Sequence, residues 1–280
     1  MTLFIPNRRA FLALAGSATL GACARAAPLT VPAAPPKEEF LDGYGPIYDS
    51  GYELPGIPSS YLVPPNRRVT GQYLGEQPPG TLDVDPYAKF LYLVREGNNS
   101  VRFPVGVGRA GRSFRGDGII QLKRKWPSWT PTRNMLRTEP DVYGPFAKGI
   151  RGGLRNPLGS RALYLFKGGR DTYYRIHGTN DLGSVGNSGS AGCIRMFNQD
   201  VIWLYEQVDL GMRVHVRGEE ESMRVDPENF NRGIELPAKR VDPDEIYSAE
   251  AIANDPPPVF DDPRDGMTPG EVEIASNVPL

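Results

Sequence analysis

Between residues 81 and 217 apolar and polar residues alternate in short runs. Residues 81–85 (TLDVD), 90–97 (FLYLVREG), 100–107 (SVRFPVGV), 119–129 (IIQLKRKWPSW), 162–166 (ALYLF), 172–177 (TYYRIH) and 212–217 (MRVHVR) are rich in β-branched and aromatic residues. Each is bounded by Gly, Pro or polar turn residues, with Gly97, Asn98 and Asn99 as one such turn. This spacing predicts a mostly β domain. One helical period is legible, over 198–210. Val201, Leu204, Tyr205 and Val208 recur at three- and four-residue steps, Asn198 or Asp200 is placed to cap, and Gly211 ends the run. In the last strand the period of two sends Met212, Val214 and Val216 to one face and Arg213, His215 and Arg217 to the solvent face. Residues 127–157 follow neither period, and a long loop in a compact domain is often a functional one.

Both flanks read differently. In residues 1–27, Arg8 and Arg9 precede an apolar stretch, Phe11 to Ala22, that is too short for a permanent membrane span and has the proportions of an export signal of the twin-arginine type. Two endings are open. Leu20-Gly21-Ala22-Cys23 resembles a lipoprotein cleavage box, which would make Cys23 a lipidation site; Ala24-Arg25-Ala26 resembles an ordinary cut. Residues 28–77 are rich in Pro and Gly and read as a linker and lead-in. Residues 218–280 are acidic and Pro-rich and read as a disordered tail, or as an acidic interaction segment. With 28 Pro, 32 Gly and 39% hydrophobic residues, the 280-residue chain supports one folded domain between loosely structured segments.

The net charge of −1 hides a division. Residues 81–217 carry 21 Lys and Arg against 11 Asp and Glu, and residues 218–280 carry 5 against 16. A basic domain suits an anionic partner, or is simply a solvated surface. The aromatic residues form no nucleic-acid-binding pattern. One Cys and one His are too few for a zinc site, and no phosphate-cradling glycine motif is present, so no metal or cofactor is expected.

The chemistry concentrates in YYRIHGTNDLGSVGNSGSAGCIRMFN, residues 173–198. His177 and Cys193 stand 16 positions apart, with Gly and Ser filling the interval. The economical reading is a strand ending at His177, a long loop, and a return that presents Cys193. Cys23 belongs to the export signal, so Cys193 is the one thiol of an exported domain: either an inert buried residue or a nucleophile. His177 is the one good base for it, since His215 faces solvent in the strand pattern. Gly192 leaves room for backbone N–H groups to approach an oxyanion, and Arg195 could hold a carboxylate or form a surface ion pair.

IHGTN and SAGCIRM, followed by a helix and VHV, resemble the L,D-transpeptidase catalytic domain of the YkuD type; PPGT at residues 78–81, FPVGVGRAG, WPSWTPT and NPLGSRALYL extend the likeness over residues 78–217. The resemblance implies a β-sandwich with one or two short helices and an active site under a loop. Cys193 would be the nucleophile, His177 the base and the Gly178 carbonyl its orienting group. N–H groups around Gly192 and Cys193 would form the oxyanion hole, with Ser190, Gly192 and Arg195 binding the donor. The donor would be a peptidoglycan tetrapeptide stem in the periplasm, attacked at its third residue with loss of D-Ala. The acceptor would be a stem amine, an amine on a wall-attached protein, or water. A hydrolase of the same fold is the alternative enzyme, and a non-catalytic wall-binding module the alternative outside enzymes. The chain departs from the family at Ala191, where the family's motif has a second His.

Overall fold

The computed structural model describes residues 40–108, 114–189, 193–233 and 265. Strands β1 (Ile47–Asp49) and β2 (Tyr52–Leu54) form a small hairpin. The rest of the β structure is one sheet. Its strands in chain order are β3 (Val69–Gln72), β4 (Thr81–Asp85), β5 (Phe90–Arg95), β6 (Asn99–Pro104), β7 (Gly106–Gly108), β8 (Gly116–Lys125), β9 (Arg161–Lys167), β10 (Arg170–His177), β11 (Ser188–Gly189), β12 (Ile194–Arg195) and β13 (Arg213–Val216). Their spatial order is β11-β7-β12-β10-β9-β8-β13-β4-β5-β6-β3. The helices are α1 (Arg133–Thr138), α2 (Pro140–Tyr143), α3 (Asn198–Gln207) and α4 (Glu219–Val225).

Alternation along the strands builds the main core, while the other face of β5 packs Phe90, Tyr92 and Val94 in a smaller cluster with Tyr73. Leu82 and Val84 of β4, Leu91 and Leu93 of β5 and Phe103 of β6 meet Ile120 of β8, Leu163 and Leu165 of β9, Tyr174 and Ile176 of β10 and Ile194 of β12. These strands come from both halves of the strand order, so the sheet curls over its own inner face, and the two faces of the expected sandwich are halves of one sheet. Helix α3 adds Val201, Leu204 and Val208 to the same core. The run 100–107 divides at Val105: its N–H still bonds the Lys89 carbonyl in the β5–β6 register, while its carbonyl accepts from the Gly186 N–H and Gly106 goes on to pair with Arg195 of β12.

The flanks correct two expectations. Residues 40–77 are not a free linker: Tyr44, Ile57, Tyr61 and Leu62 bury themselves against Val185 and Phe197. The β1–β2 hairpin is tied on by Asp49, which takes two 2.7 Å bonds from Arg161 and one from the Trp126 indole. Nor is the stretch after residue 217 structureless from its start. Helix α4 buries Ser222, whose hydroxyl donates to Asp85 at 2.7 and 2.8 Å, and the chain is described to Gly233. Arg217, placed on the solvent face by its period, is buried instead, because β4 turns Asp83 and Asp85 toward it as a pair of carboxylates. The signal segment with Cys23 lies outside the described residues, as do residues 234–264 and 266–280 of the expected tail.

Candidate active site

Strand β12 runs parallel to β10, with Ile176 opposite Ile194 and His177 opposite Arg195. Parallel neighbours need a crossover connection. Residues 178–193 supply it, passing through a 3-10 turn at Leu182–Ser184 and through β11, which pairs with β7 on the far side of β12. The register has a direct chemical consequence. Ile176 and Ile194 face the core, fully buried, so their neighbours face the other way. One step back along the same ladder, Cys193 stands beside Arg175, and the Arg175 backbone N–H bonds the sulfur. His177, Arg175, Cys193 and Arg195 therefore share one face, with His177 and Cys193 at diagonal positions, where Cβ atoms on a sheet lie on the order of 7 Å apart.

His177 is buried, and its Nδ1 lies 2.5 Å from the Gly178 carbonyl. The Gly178 carbonyl favours the proton on Nδ1, which leaves Nε2 as the base, and the Leu158 carbonyl also lies within hydrogen-bond reach of the ring. The His177 carbonyl accepts from the Met196 N–H at 2.8 Å, and the Gly178 N–H donates to the Arg161 carbonyl at 3.0 Å, so the strand end is fixed on both sides. Burial drives the His177 pKa down to about 3, and the Arg195 charge pushes the same way, against the Gly178 carbonyl. Cys193 is half-buried as a residue, yet desolvation of its sulfur pushes the thiol up, and the charge and backbone N–H of Arg175 oppose the rise. The resting pair is thus a neutral thiol and a neutral imidazole, with no hydrogen bond between the two side chains.

Asn198 holds this geometry from below. The expectation of a helix cap fails here: α3 starts on Asn198 itself, with Phe197 in the cap position and no side-chain cap. Its Oδ1 accepts from the Ser160 N–H (2.9 Å) and hydroxyl (3.1 Å), and its Nδ2 donates to the Thr179 carbonyl (3.0 Å). Gly178 lies so close that an added Cβ would stand 2.2 Å from Asn198 Oδ1, which is why the residue after His177 has no side chain. The excursion over 127–157 carries α1 and α2, neither with a buried residue. It is pinned at its base, where Gly152 crosses the Trp126 carbonyl too closely for any Cβ. Its Tyr143 comes near enough to Arg195 to feel that charge.

Arg195 pairs loosely with Asp181 at 3.8 Å. Ser190, Ala191 and Gly192 lie outside the described residues. His215 is not part of the site; it bridges Asp117 and Glu221 at about 3 Å. Among the described residues no cluster of His, Cys, Asp and Glu could hold a metal, and no helix is long and apolar enough to cross a membrane. The sequence did not single out Arg175, Asp171 or the inward role of Asn198. Alternation puts Arg175 on the His177 side, but its place beside Cys193 depends on the parallel pairing.

The fold and site together define a curled β domain with a cysteine and a histidine on one sheet face. A model of the YkuD L,D-transpeptidase catalytic domain matches residues 79–216. A putative L,D-transpeptidase from Fuscovulum blasticum is 35% identical over 137 residues, 48% of this chain and 68% of that protein. The probable L,D-transpeptidase ErfK/SrfK of Salmonella typhimurium is 34% identical over 203 residues, 69% of this chain and 63% of that protein. The chain belongs to the L,D-transpeptidase family. It spans about half to two thirds of the length of the ErfK/SrfK proteins it matches, 45% of the one from Escherichia coli. A solved structure from Brucella melitensis, described as a probable carnitine operon oxidoreductase, is 45% identical and covers 54% of this chain and 94% of that one, with a TM-score of 0.40.

Proposed function

We propose that this protein is a periplasmic cysteine acyltransferase that transfers peptidoglycan stem peptides. The observation that carries the reading is the β10–β12 register, which sets the one described thiol and the one buried imidazole on a shared face beside Arg195. The Cys193 sulfur attacks the carbonyl carbon of the third residue of a tetrapeptide stem. His177 Nε2 takes the thiol proton as the C–S bond forms and returns it to the departing D-Ala amine as the amide C–N bond breaks. An acceptor amine then attacks the thioester. It loses its proton to His177, which passes it to the released thiolate. Backbone N–H groups around Gly192 and Cys193 serve the oxyanion, and Arg195, with Ser190 and Gly192, binds the donor. A stem amine as acceptor gives 3–3 cross-links, a protein amine tethers that protein to the wall, and water gives carboxypeptidase activity. The twin-arginine-like leader supplies export, with or without a lipid on Cys23. No cofactor enters.

Intact-mass measurement after mixing the protein with a tetrapeptide stem or a carbapenem tests this. One covalent adduct is expected, on Cys193, absent in Cys193→Ala and slowed at least 100-fold in His177→Ala, the scale of a lost general base. An adduct on another residue, or none under reducing conditions, overturns the reading. Muropeptide comparison with and without the protein separates cross-linking from hydrolysis.

A further inference from the structure

Strand β10 is not regular. Its pairing with β9 shifts register between Asp171 and Arg175, and Tyr173 sits in the left-handed region at φ 59°. A bulge of this kind re-aims the side chains around it. Tyr173 is thrown out to solvent, 81% exposed, while Asp171 comes round to grip Arg175 in a two-pronged bond, Nη1 to Oδ1 and Nη2 to Oδ2, each 2.7 Å. The Asp171 carboxylate also accepts from the Tyr173 N–H at 2.8 Å, closing the bulge on itself. Thr172 fixes the outer side by donating to the Leu165 carbonyl. The Arg175 guanidinium lies 4.4 Å from the centre of the Tyr164 ring and donates to the Tyr174 carbonyl at 3.1 Å. Only 12% of its side chain is exposed. An arginine held by a fork, a ring and a carbonyl is not a solvated surface charge.

We propose that Arg175, locked by Asp171 across the Tyr173 bulge, is a positioning residue that keeps the Cys193 sulfur in a fixed cationic field and so sets its nucleophilicity. The inference rests on Cys193 being the nucleophile. The sulfur needs such a group because His177 forms no hydrogen bond to it at rest, and because burial opposes its ionisation. Arg175 acts on the sulfur twice, through its backbone N–H and through its charge. Arg195, two residues along on the same face, acts on the sulfur in the same direction from its loose ion pair with Asp181. Asp171 works the other way on the thiol, so the pair sets an intermediate field rather than a maximal one.

The test uses the full chain and needs no wall substrate. Iodoacetamide alkylation is followed across pH on the peptide that contains Cys193, which separates it from Cys23; the thiolate sulfur displaces iodide and the thiol proton passes to solvent. In Arg175→Met the titration is expected to move up by roughly one unit. Thiolate nucleophilicity rises with pKa with a slope of about 0.4–0.5, so the rate should fall only about threefold below the titration and exceed wild type above it. Arg175→Lys restores the charge and should return the curve most of the way. Should Arg175→Met not fold, Arg175→Gln drops the charge while keeping a donor for Asp171. A folded neutral variant with a lowered melting temperature and an unmoved titration makes Arg175 a staple of the bulge and overturns the proposal. Failure of the wild type to form a stem thioester would overturn the proposed function and leave the titration standing. A normal thioester with an unmoved titration sinks the role of Arg175 alone.

Discussion

The two histidines sit in opposite environments, and this can be measured. Burial and the Arg195 charge hold His177 far below the ordinary histidine value. Burial alone would lower His215 too, but its hydrogen bonds to Glu221 and Asp117 outweigh that and raise it. A proton NMR titration should therefore show one imidazole resonance moving above pH 6.5, that of His215, and one that stays neutral down to well below pH 5. In Arg195→Met the cation beside His177 is gone and the His177 pKa rises, while its burial keeps it below 6.5. A wild-type His177 that titrates near 6.5 contradicts the buried free base. Cys193 and His177 were legible as a candidate pair because a glycine-rich interval has a lone thiol at one end and a lone usable imidazole at the other, and the structure puts both on one sheet face. Arg175 was not, because its importance comes from a bulge and a parallel register that no local pattern encodes. Asn198 was misread for a related reason. Asn ahead of a helical period is the usual cap signal, and only the crossover brings Ser160 and Thr179 within its reach.

Helix α3 ties the site to the chain that precedes the sheet. Its Asn198 braces the His177 strand end, and one residue later Gln199 donates to the Pro55 carbonyl at 2.9 Å. Asp200 is fully buried against Tyr44, whose hydroxyl donates to it at 3.2 Å, and against Arg68 at 3.4 Å. Burial raises the Asp200 pKa to about 7 despite Arg68. The sign of the linkage follows. An unfolded Asp ionises near 4, so between about pH 4 and 7 the folded state holds a proton that the unfolded state has lost, and this carboxyl's contribution to stability falls as pH rises. Asp200→Asn removes the titration and keeps an acceptor for Tyr44. The stability of the variant relative to wild type, measured by urea unfolding, is expected to improve from pH 5 to about pH 7 and to level off above it. A difference independent of pH shows that Asp200 is ionised throughout. The strands were readable because their inner residues alternate. The polar face of β4 was not, since Asp83 and Asp85 look like solvent residues until Arg217 and α4 cover them.

The whole domain depends on a segment whose composition disguises it. Residues 40–66 carry too many Pro and Gly to announce a core, yet their few large side chains are placed where the crossover loop needs support. Tyr44, Ile57, Tyr61 and Leu62 cover Val185, which lies between His177 and Cys193, and Phe197, which precedes α3. Asn66 donates to the Tyr61 carbonyl at 2.8 Å and to the Val185 carbonyl at 3.4 Å, bracing the loop through its backbone. Further along, Asp49 neutralises the buried Arg161, whose carbonyl receives the Gly178 N–H. A chain beginning at residue 40 keeps all of this and should melt like the full chain, with Cys193 alkylated at the same rate. A chain beginning at residue 67 loses six buried hydrophobic side chains, those of Tyr44, Tyr52, Leu54, Ile57, Tyr61 and Leu62, the aliphatic ones alone worth about 1.5–3 kcal/mol each, and leaves Arg161 buried without its carboxylate. Those losses match the whole net stability of a typical domain, about 5–15 kcal/mol. The shorter chain is expected to show no cooperative thermal transition and to expose Cys193 to iodoacetamide as an unstructured thiol. A cooperative melt within a few degrees of the full chain, with unchanged alkylation, would return residues 40–66 to the role of a linker.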